Sequence, residues 1–426
     1  MSEKPQPAEK PKLRWYQYRL WHLFVLTAVV AIVMGVLMVP VHRARQQRVV
    51  IDALHELGWV VTCDPTPSGP AWARWLFGDE TFLDAVAVDS PPGTSDDAMA
   101  HLGHMPELER AFISGENVTD TGVRRLAGLR KLKTVCLSGT SVGDESVGYF
   151  AGLENLEHLY LTHTQVTKEG VRQLEEMLPG CKIWRLEEMT DSIGMRFVLI
   201  PAGEFMMGSP DGDEDADDDE RPQHRVRITK PFYLSVHEVT QEQYEQAMGK
   251  RPWSGQQYVK SGADYPATYV SWEDAVAFCE KLSAIEGCTY RLPTEAEWED
   301  ACRAGSTTSF FFGDDYSALG NHAWYDENAW STGEPYAHGV GEKKANGWGL
   351  YDMHGNVWEW CLDWYGEGYY KESPVDDPTG AGSGEFRVLR GGSWFDYPRF
   401  GRSAVRIGVS PDVRDYNYGF RVSRTP

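Results

Sequence analysis

The chain has 426 residues, 42% of them hydrophobic and 24% charged, which supports two or three globular units and excludes a disordered polymer. Its 42 glycines and 24 prolines exclude an all-helical bundle, because both residues disfavour helix interiors. The formal net charge of −22 repels phosphate backbones, so nucleic acid is excluded as a partner class.

The amino-terminal end runs against this acidic balance. Lys4, Lys10, Lys12, Arg14 and Arg19 make residues 1–19 a basic tail, and Leu20–Val41 then contains no charged residue. A run of that length predicts a transmembrane helix over 20–41, since about 20 apolar residues span a hydrocarbon core. It ends in Val39-Pro40-Val41 without a small-residue cleavage site, as an uncleaved signal anchor does. The positive-inside rule places the tail in the cytoplasm and the rest of the chain outside it, in the periplasm or cell envelope. Residues 42–82 read either as an amino-terminal cap on a repeat array or as a juxtamembrane linker.

Three segments of 24 residues then repeat, beginning at Leu108, Leu132 and Leu156, with a degenerate copy from Leu83. Each starts with a short alternating strand, turns at a Ser/Thr/Gly corner and enters a helix with Val123, Val147 or Val171 facing inward. This pattern over 83–186 predicts a short α/β leucine-rich-repeat solenoid, in which stacking builds a core that no single copy could bury. It offers either a protein-binding surface or a spacer.

Beyond Arg185 the texture becomes rich in Gly, Trp and Asn. Helices are expected at Trp272–Ile285, with Ser271 as N-cap, and at Glu295–Cys302, where Thr294 and Glu297 form a capping box. Short strands are expected at Arg225–Ile228, Phe386–Leu389 and Phe420–Val422. Asp211–Glu220, with eight acidic residues in ten, reads as a solvated loop that lacks EF-hand spacing. The seven cysteines form no CxxC pair, and most of them read as small buried hydrophobes.

Six ordered stretches in 190–426 carry a resemblance: FVLIPAGEFMMGSP from Phe197, EVTQEQYEQAM from Glu238, RLPTEAEWEDACRAG from Arg291, NGWGLYDMHGNVWEWCLDWYG from Asn346, RGGSWFD from Arg390 and NYGFRV from Asn417. Together they resemble the formylglycine-generating enzyme, or sulfatase-modifying factor, domain. The resemblance implies an α+β, C-type-lectin-like fold of low regular secondary structure. In active members two cysteines after the GGS motif bind copper(I) and oxidise a sulfatase cysteine. Here those positions are Asp396 and Gly401, and neither supplies the soft thiolate that copper(I) requires, so copper is not expected.

Ser393 and Trp358 match residues lining the pocket of the active members, and with Asp396 and Gly401 they form the candidate pocket. The resemblance also implies a structural calcium site held by the side chains of Asp352 and Glu359 and the backbone carbonyls of Gly355 and Val357. The alternative role for Glu359 is that of a buried ion-pair partner. The expected function is therefore a non-catalytic module binding a protein, peptide or glycan. The competing class is an oxidase of sulfatase cysteines or another oxidoreductase.

Overall fold

The computed structural model describes residues 15–426, and the side chains of residues 15–20, 32–34, 36 and 37 lie outside that description. Much of the expected basic tail therefore lies outside the described residues. The chain divides into two compact units, one formed by the chain up to Asp52 with Cys63–Asp84, the other by Ala53–Thr62 with Ala85–Pro426.

In the first unit the apolar run belongs to a helix, Trp15–Glu56, that continues past Pro40. No break separates residues 41 and 42, because HRARQQR consists largely of good helix formers and Arg48 pairs with Asp52 one turn on. Among the described residues no helix is long and apolar enough to cross a membrane. The span expected over 20–41 includes residues 20, 32–34, 36 and 37, whose side chains are outside the description. The helix Ala71–Phe77 packs Ala73 and Phe77 with Val41, Ala44 and Phe82.

The second unit opens with a parallel sheet whose strands lie side by side in chain order: Ala85–Asp89, Arg110–Phe112, Thr134–Cys136, His158–Tyr160 and Lys182–Trp184. From the second strand onward each residue pairs with the one 24 positions later, as Arg110 with Thr134 and Thr134 with His158. The middle residues Ala111, Val135 and Leu159 are wholly buried and form the interior row. A second period fixes the far side. Asp96 accepts from the Thr119 amide at 2.8 Å, Asp120 from the Gly143 amide at 2.8 Å, and Asp144 from the Thr167 amide at 2.8 Å, so each copy ties down the helix start of the next. The helical segments are less uniform than expected: Asp144–Gly152 is a 3-10 helix, and in Lys168–Met177 the inward positions are Gly170 and Leu174 while Val171 is half-buried.

The carboxy-terminal part holds an antiparallel sheet ordered Tyr290–Arg291, Ser423–Arg424, Phe232–Ser235, Arg196–Ile200, Glu188–Thr190. A second sheet is ordered Arg406–Val409, Arg387–Arg390, Trp358–Trp364, Tyr418–Gly419. The helix Trp272–Glu286 starts on a Ser271–Asp274 capping box and stops at left-handed Gly287; Glu295–Arg303 starts on the Thr294–Glu297 box. A further helix, Gln241–Met248, is opened by Thr240 and Gln243 in the same way.

Two expectations are corrected. Phe420–Val422 is not a strand: the Val422 amide donates to the Ser235 hydroxyl at 3.0 Å, and the strands Tyr418–Gly419 and Ser423–Arg424 lie on either side of the segment. The acidic stretch is not simply solvated. Glu220 is buried against Arg402, with contacts of 2.8 Å from both guanidinium nitrogens, and accepts from Ser209 Oγ at 2.6 Å.

The outward row of the repeat sheet is covered by the carboxy-terminal domain. Phe112, Cys136 and Tyr160 share one core with Ala304, Phe311 and Trp348, and Tyr160 donates to the Ala304 carbonyl at 2.9 Å. A Cβ on Gly347 would fall 2.4 Å from the Tyr160 ring, so glycine is required for this approach. At the first strand, Lys344 is buried on Asp89 and donates to the carbonyls of Ser90 at 2.9 Å and Phe112 at 3.1 Å. His322 at 2.9 Å and Asn321 at 2.8 Å complete the shell of Asp89. Burial alone would raise this carboxyl, but its interactions with His322 and Lys344 outweigh it and hold it at about 2; burial lowers the His322 imidazole, so the standing charge at this joint is the Lys344 ammonium.

Candidate functional site

Trp358 begins the central strand of the second sheet, and Ser393 follows the edge of the neighbouring strand after two glycines with left-handed φ, Gly391 at 99° and Gly392 at 75°. These glycines permit a turn that other residues resist: a Cβ on Gly392 would lie 2.8 Å from the Phe400 carbonyl. The turn brings three expected residues together. Trp358 Nε1 donates to Asp396 Oδ2 at 2.9 Å, Ser393 Oγ donates to the same oxygen at 2.5 Å, and Asn417 Nδ2 donates to Ser393 Oγ at 3.1 Å. Asn417 was not anticipated as part of the site, although NYGFRV contains it.

Burial raises the Asp396 carboxyl above its usual range, with the Ser393 and Trp358 hydrogen bonds opposing that shift and the charge of Asp326 adding to it. Asp396 Oδ1 has no donor among the described residues, and the residue as a whole is half-buried. Gly401 does not present a side-chain position to this group. Its carbonyl accepts from His354 Nδ1 at 2.8 Å, and a Cβ added there would stand 3.1 Å from the His354 carbonyl. His354 Nε2 accepts from the Phe311 amide at 3.2 Å, and burial lowers the imidazole to about 3, so it is neutral.

The residues expected to hold calcium do not converge as one set. Glu359 is fully buried and gives both oxygens to Arg421, at 2.6 and 2.7 Å, with Trp298 Nε1 at 2.7 Å on one of them. Asp352, at φ 59°, uses Oδ2 to accept from the Gly341 amide at 2.7 Å, while its Oδ1 is buried with no donor. The unexpected neighbour is Glu238, whose Oε1 accepts from Asn356 Nδ2 at 3.1 Å and whose Oε2 is likewise buried without a donor. Burial and then the charge of Asp352 push the Glu238 carboxyl well up, and burial raises Asp352 too. The proton that the raised Glu238 carboxyl retains can bridge it to Asp352, and once both are ionised their two hard oxygens suit a calcium ion, although among the described residues no group of three or more His, Cys, Asp or Glu forms a metal centre. Gly355, at φ 154°, allows the chain to pass Trp324, whose carbonyl would lie 2.3 Å from an added Cβ; Val357 is buried beside Trp394.

This arrangement of short strands, capped helices and glycine turns has known counterparts. Residues 186–426 match the model of the sulfatase-modifying factor enzyme 1-like domain. The chain belongs to that family. A formylglycine-generating enzyme of Streptomyces coelicolor is 31% identical over 281 residues, covering 53% of this chain and 87% of the relative. An inactive C-alpha-formylglycine-generating enzyme 2 of Bos taurus is 28% identical over 294 residues, covering 55% and 89%. Among solved structures, PvdO from Pseudomonas aeruginosa is 32% identical with a TM-score of 0.52, covering 56% of this chain and 98% of that one. The sulfatase-modifying-factor match begins where the repeat sheet ends, and the α+β fold expected for 190–426 is the fold of these relatives.

Proposed function

We propose that this protein is a non-catalytic member of the sulfatase-modifying factor family that binds a ligand at the Ser393, Asp396 and Trp358 pocket. The observation that carries this reading is that Asp396 stands at the first thiol position with one oxygen held by both Trp358 and Ser393. A carboxylate in that place can accept hydrogen bonds and attract positive charge. It cannot form a thiolate complex with copper(I) or exchange with a substrate thiol. The second thiol position, Gly401, has only its backbone to offer.

The 24-residue array, read as leucine-rich repeats, serves as the scaffold of the domain, since its outward row is already covered. The charge-free stretch 20–41 and the cations before it support a membrane anchor with the domains extracytoplasmic. Calcium would be held by Asp352 and Glu238 with the carbonyls of Gly355 and Val357, and its role would be to neutralise buried carboxylates and fix the loop; Glu359 is engaged with Arg421.

The test is a copper-supplemented assay of the full chain on a cysteine peptide from a sulfatase. No aldehyde is expected, and no tight copper(I) binding. Aldehyde formation would make the protein a formylglycine-generating oxidase and end this reading.

A further inference from the structure

The surface beside Asp396 is aromatic to an unusual degree for one exposed to water. Tyr258, Trp330 and Phe395 are 41, 39 and 40% exposed, and they ring a floor made by the fully buried Trp394. Tyr416 closes the circle: its ring lies 5.3 Å from Tyr258 and 5.9 Å from Phe395, while Trp330 lies 5.0 Å from Phe395 and 5.8 Å from Tyr258. Tyr258 is held at φ 56°, a backbone region that bulky residues avoid, and such strain collects where a side chain must be placed for a task.

Aspartates adjoin these rings, while Lys343, at the Trp324 side of the same cluster, lies 3.9 Å from the centre of that ring and donates to the Gly320 carbonyl at 2.7 Å. The Asp326 amide donates to the Asp396 carbonyl at 3.0 Å and the Asp326 charge acts on the Asp396 carboxyl; the Asp415 charge acts on Tyr416. Among the described residues no Lys or Arg forms an ion pair with Asp326, Asp396 or Asp415. Lys260 is already committed to Tyr265 and Tyr336, at 5.5 and 4.8 Å from their ring centres. Ring faces attract cations, and a carboxylate oxygen without a donor adjoining them gives the charge a counter-ion.

We propose that this patch binds the cationic side chain of a partner peptide, a lysine ammonium or arginine guanidinium laid over the rings with its charge on Asp396 Oδ1. The proposal rests on the non-catalytic binding role of the pocket and names its ligand class. A neutral apolar side chain would leave Asp396 without a partner, and an anion would meet three carboxylates.

The full chain would be titrated, with tryptophan fluorescence as readout, against acetyl-Gly-Lys-Gly-amide, its arginine and norleucine counterparts, and tetramethylammonium chloride. Saturable binding of the lysine or arginine peptide, at least tenfold tighter than the norleucine peptide, is expected. Asp396→Asn and, separately, Trp330→Ala should each weaken it at least tenfold with an unchanged circular dichroism spectrum. Equal binding of the norleucine peptide, no binding of any peptide, or saturation by tetramethylammonium alone would overturn the proposal. None of these outcomes produces an aldehyde, so failure of the cation assignment is distinct from failure of the non-catalytic reading.

Discussion

Asp89 at the end of a strand and Asp396 in the turn after one are both shielded aspartates, yet the protein treats them in opposite ways. Asp89 is enclosed by Lys344, His322 and Asn321 and its carboxyl is pulled down to about 2. Asp396 receives only neutral donors, on one oxygen, and its carboxyl is raised. A buried carboxylate with an ammonium partner and hydrogen bonds on both oxygens is a structural joint, whereas one with donors on a single oxygen retains capacity for an outside partner. The repeat sheet, which a sequence reader would nominate as the binding surface, has used that capacity on its own neighbour.

The contrast can be broken most severely at the joint. Lys344→Met leaves Asp89 without its ammonium partner and should destabilise the folded chain by about 3–5 kcal/mol, measured by denaturant unfolding. Adding Asp89→Asn to it should recover part of the loss. Because the Asp89 carboxyl is depressed in the folded state, its contribution is present above the ordinary carboxylate value near 4 and lost as pH falls through about 2. The acid limb of a stability profile should therefore flatten in Lys344→Met.

A smaller effect is expected from Gly347→Ala. The new methyl meets the Tyr160 ring and should cost about 1–3 kcal/mol as overpacking, read as a lowered melting temperature. Tyr160→Ala should restore tolerance to the alanine at 347.

Chelation should lower the melting temperature of the full chain, because calcium bound only to the native state stabilises it by mass action. The sign of the pH response is the reverse of that at Asp89. With raised folded-state carboxyls, Asp352 and Glu238 favour folding when protonated, so without calcium stability should decline as pH rises from about 4 through their raised values. Asp352→Asn should remove much of that decline together with the response to chelator. An identical melting temperature with and without chelator would rule calcium out as a stabilising ligand.

Asp396→Asn should change stability least, by about 1 kcal/mol or less, since an amide oxygen can still accept from Trp358 and Ser393. Its effect belongs to ligand affinity. A stability loss as large as that of Lys344→Met would erase the distinction between the two aspartates.

The periodic part of this fold was legible because its information is local: the 24-residue spacing sets strand pairing, and even the Asp96, Asp120 and Asp144 ladder stands in the sequence at that interval. Capping boxes at Ser271 and Thr294 were legible for the same reason. The Ser393, Asp396 and Trp358 group could be named from its motifs; Glu238 opens one of those motifs too, but its role could not be read, because it lies 118 residues from Asn356, which donates to it. Nor could the joint, since Lys344 and Asp89 are 255 residues apart and Lys344 has the composition of an ordinary surface loop residue. Arg421 shows the same limit: its pairing with Glu359 turned an apparent strand into a buried plug.

The Asp ladder also has an end. Twenty-four residues after Asp144 stands Lys168, a cation that cannot accept from an amide, so the last copy offers no cap to a successor. At the two ends of the repeat, Asp89 in its first strand and Trp184 in its last reach the same carboxy-terminal domain, through Lys344 and through Trp348 with ring centres 5.3 Å apart. The count of repeats is thereby gauged against a fixed ruler. Solenoids that hang free can gain or lose a copy and merely change length, but inserting or deleting one here would move one end of the sheet out of reach of its anchor, about 4.8 Å for each added strand. The length of the array is thus fixed by the domain it carries.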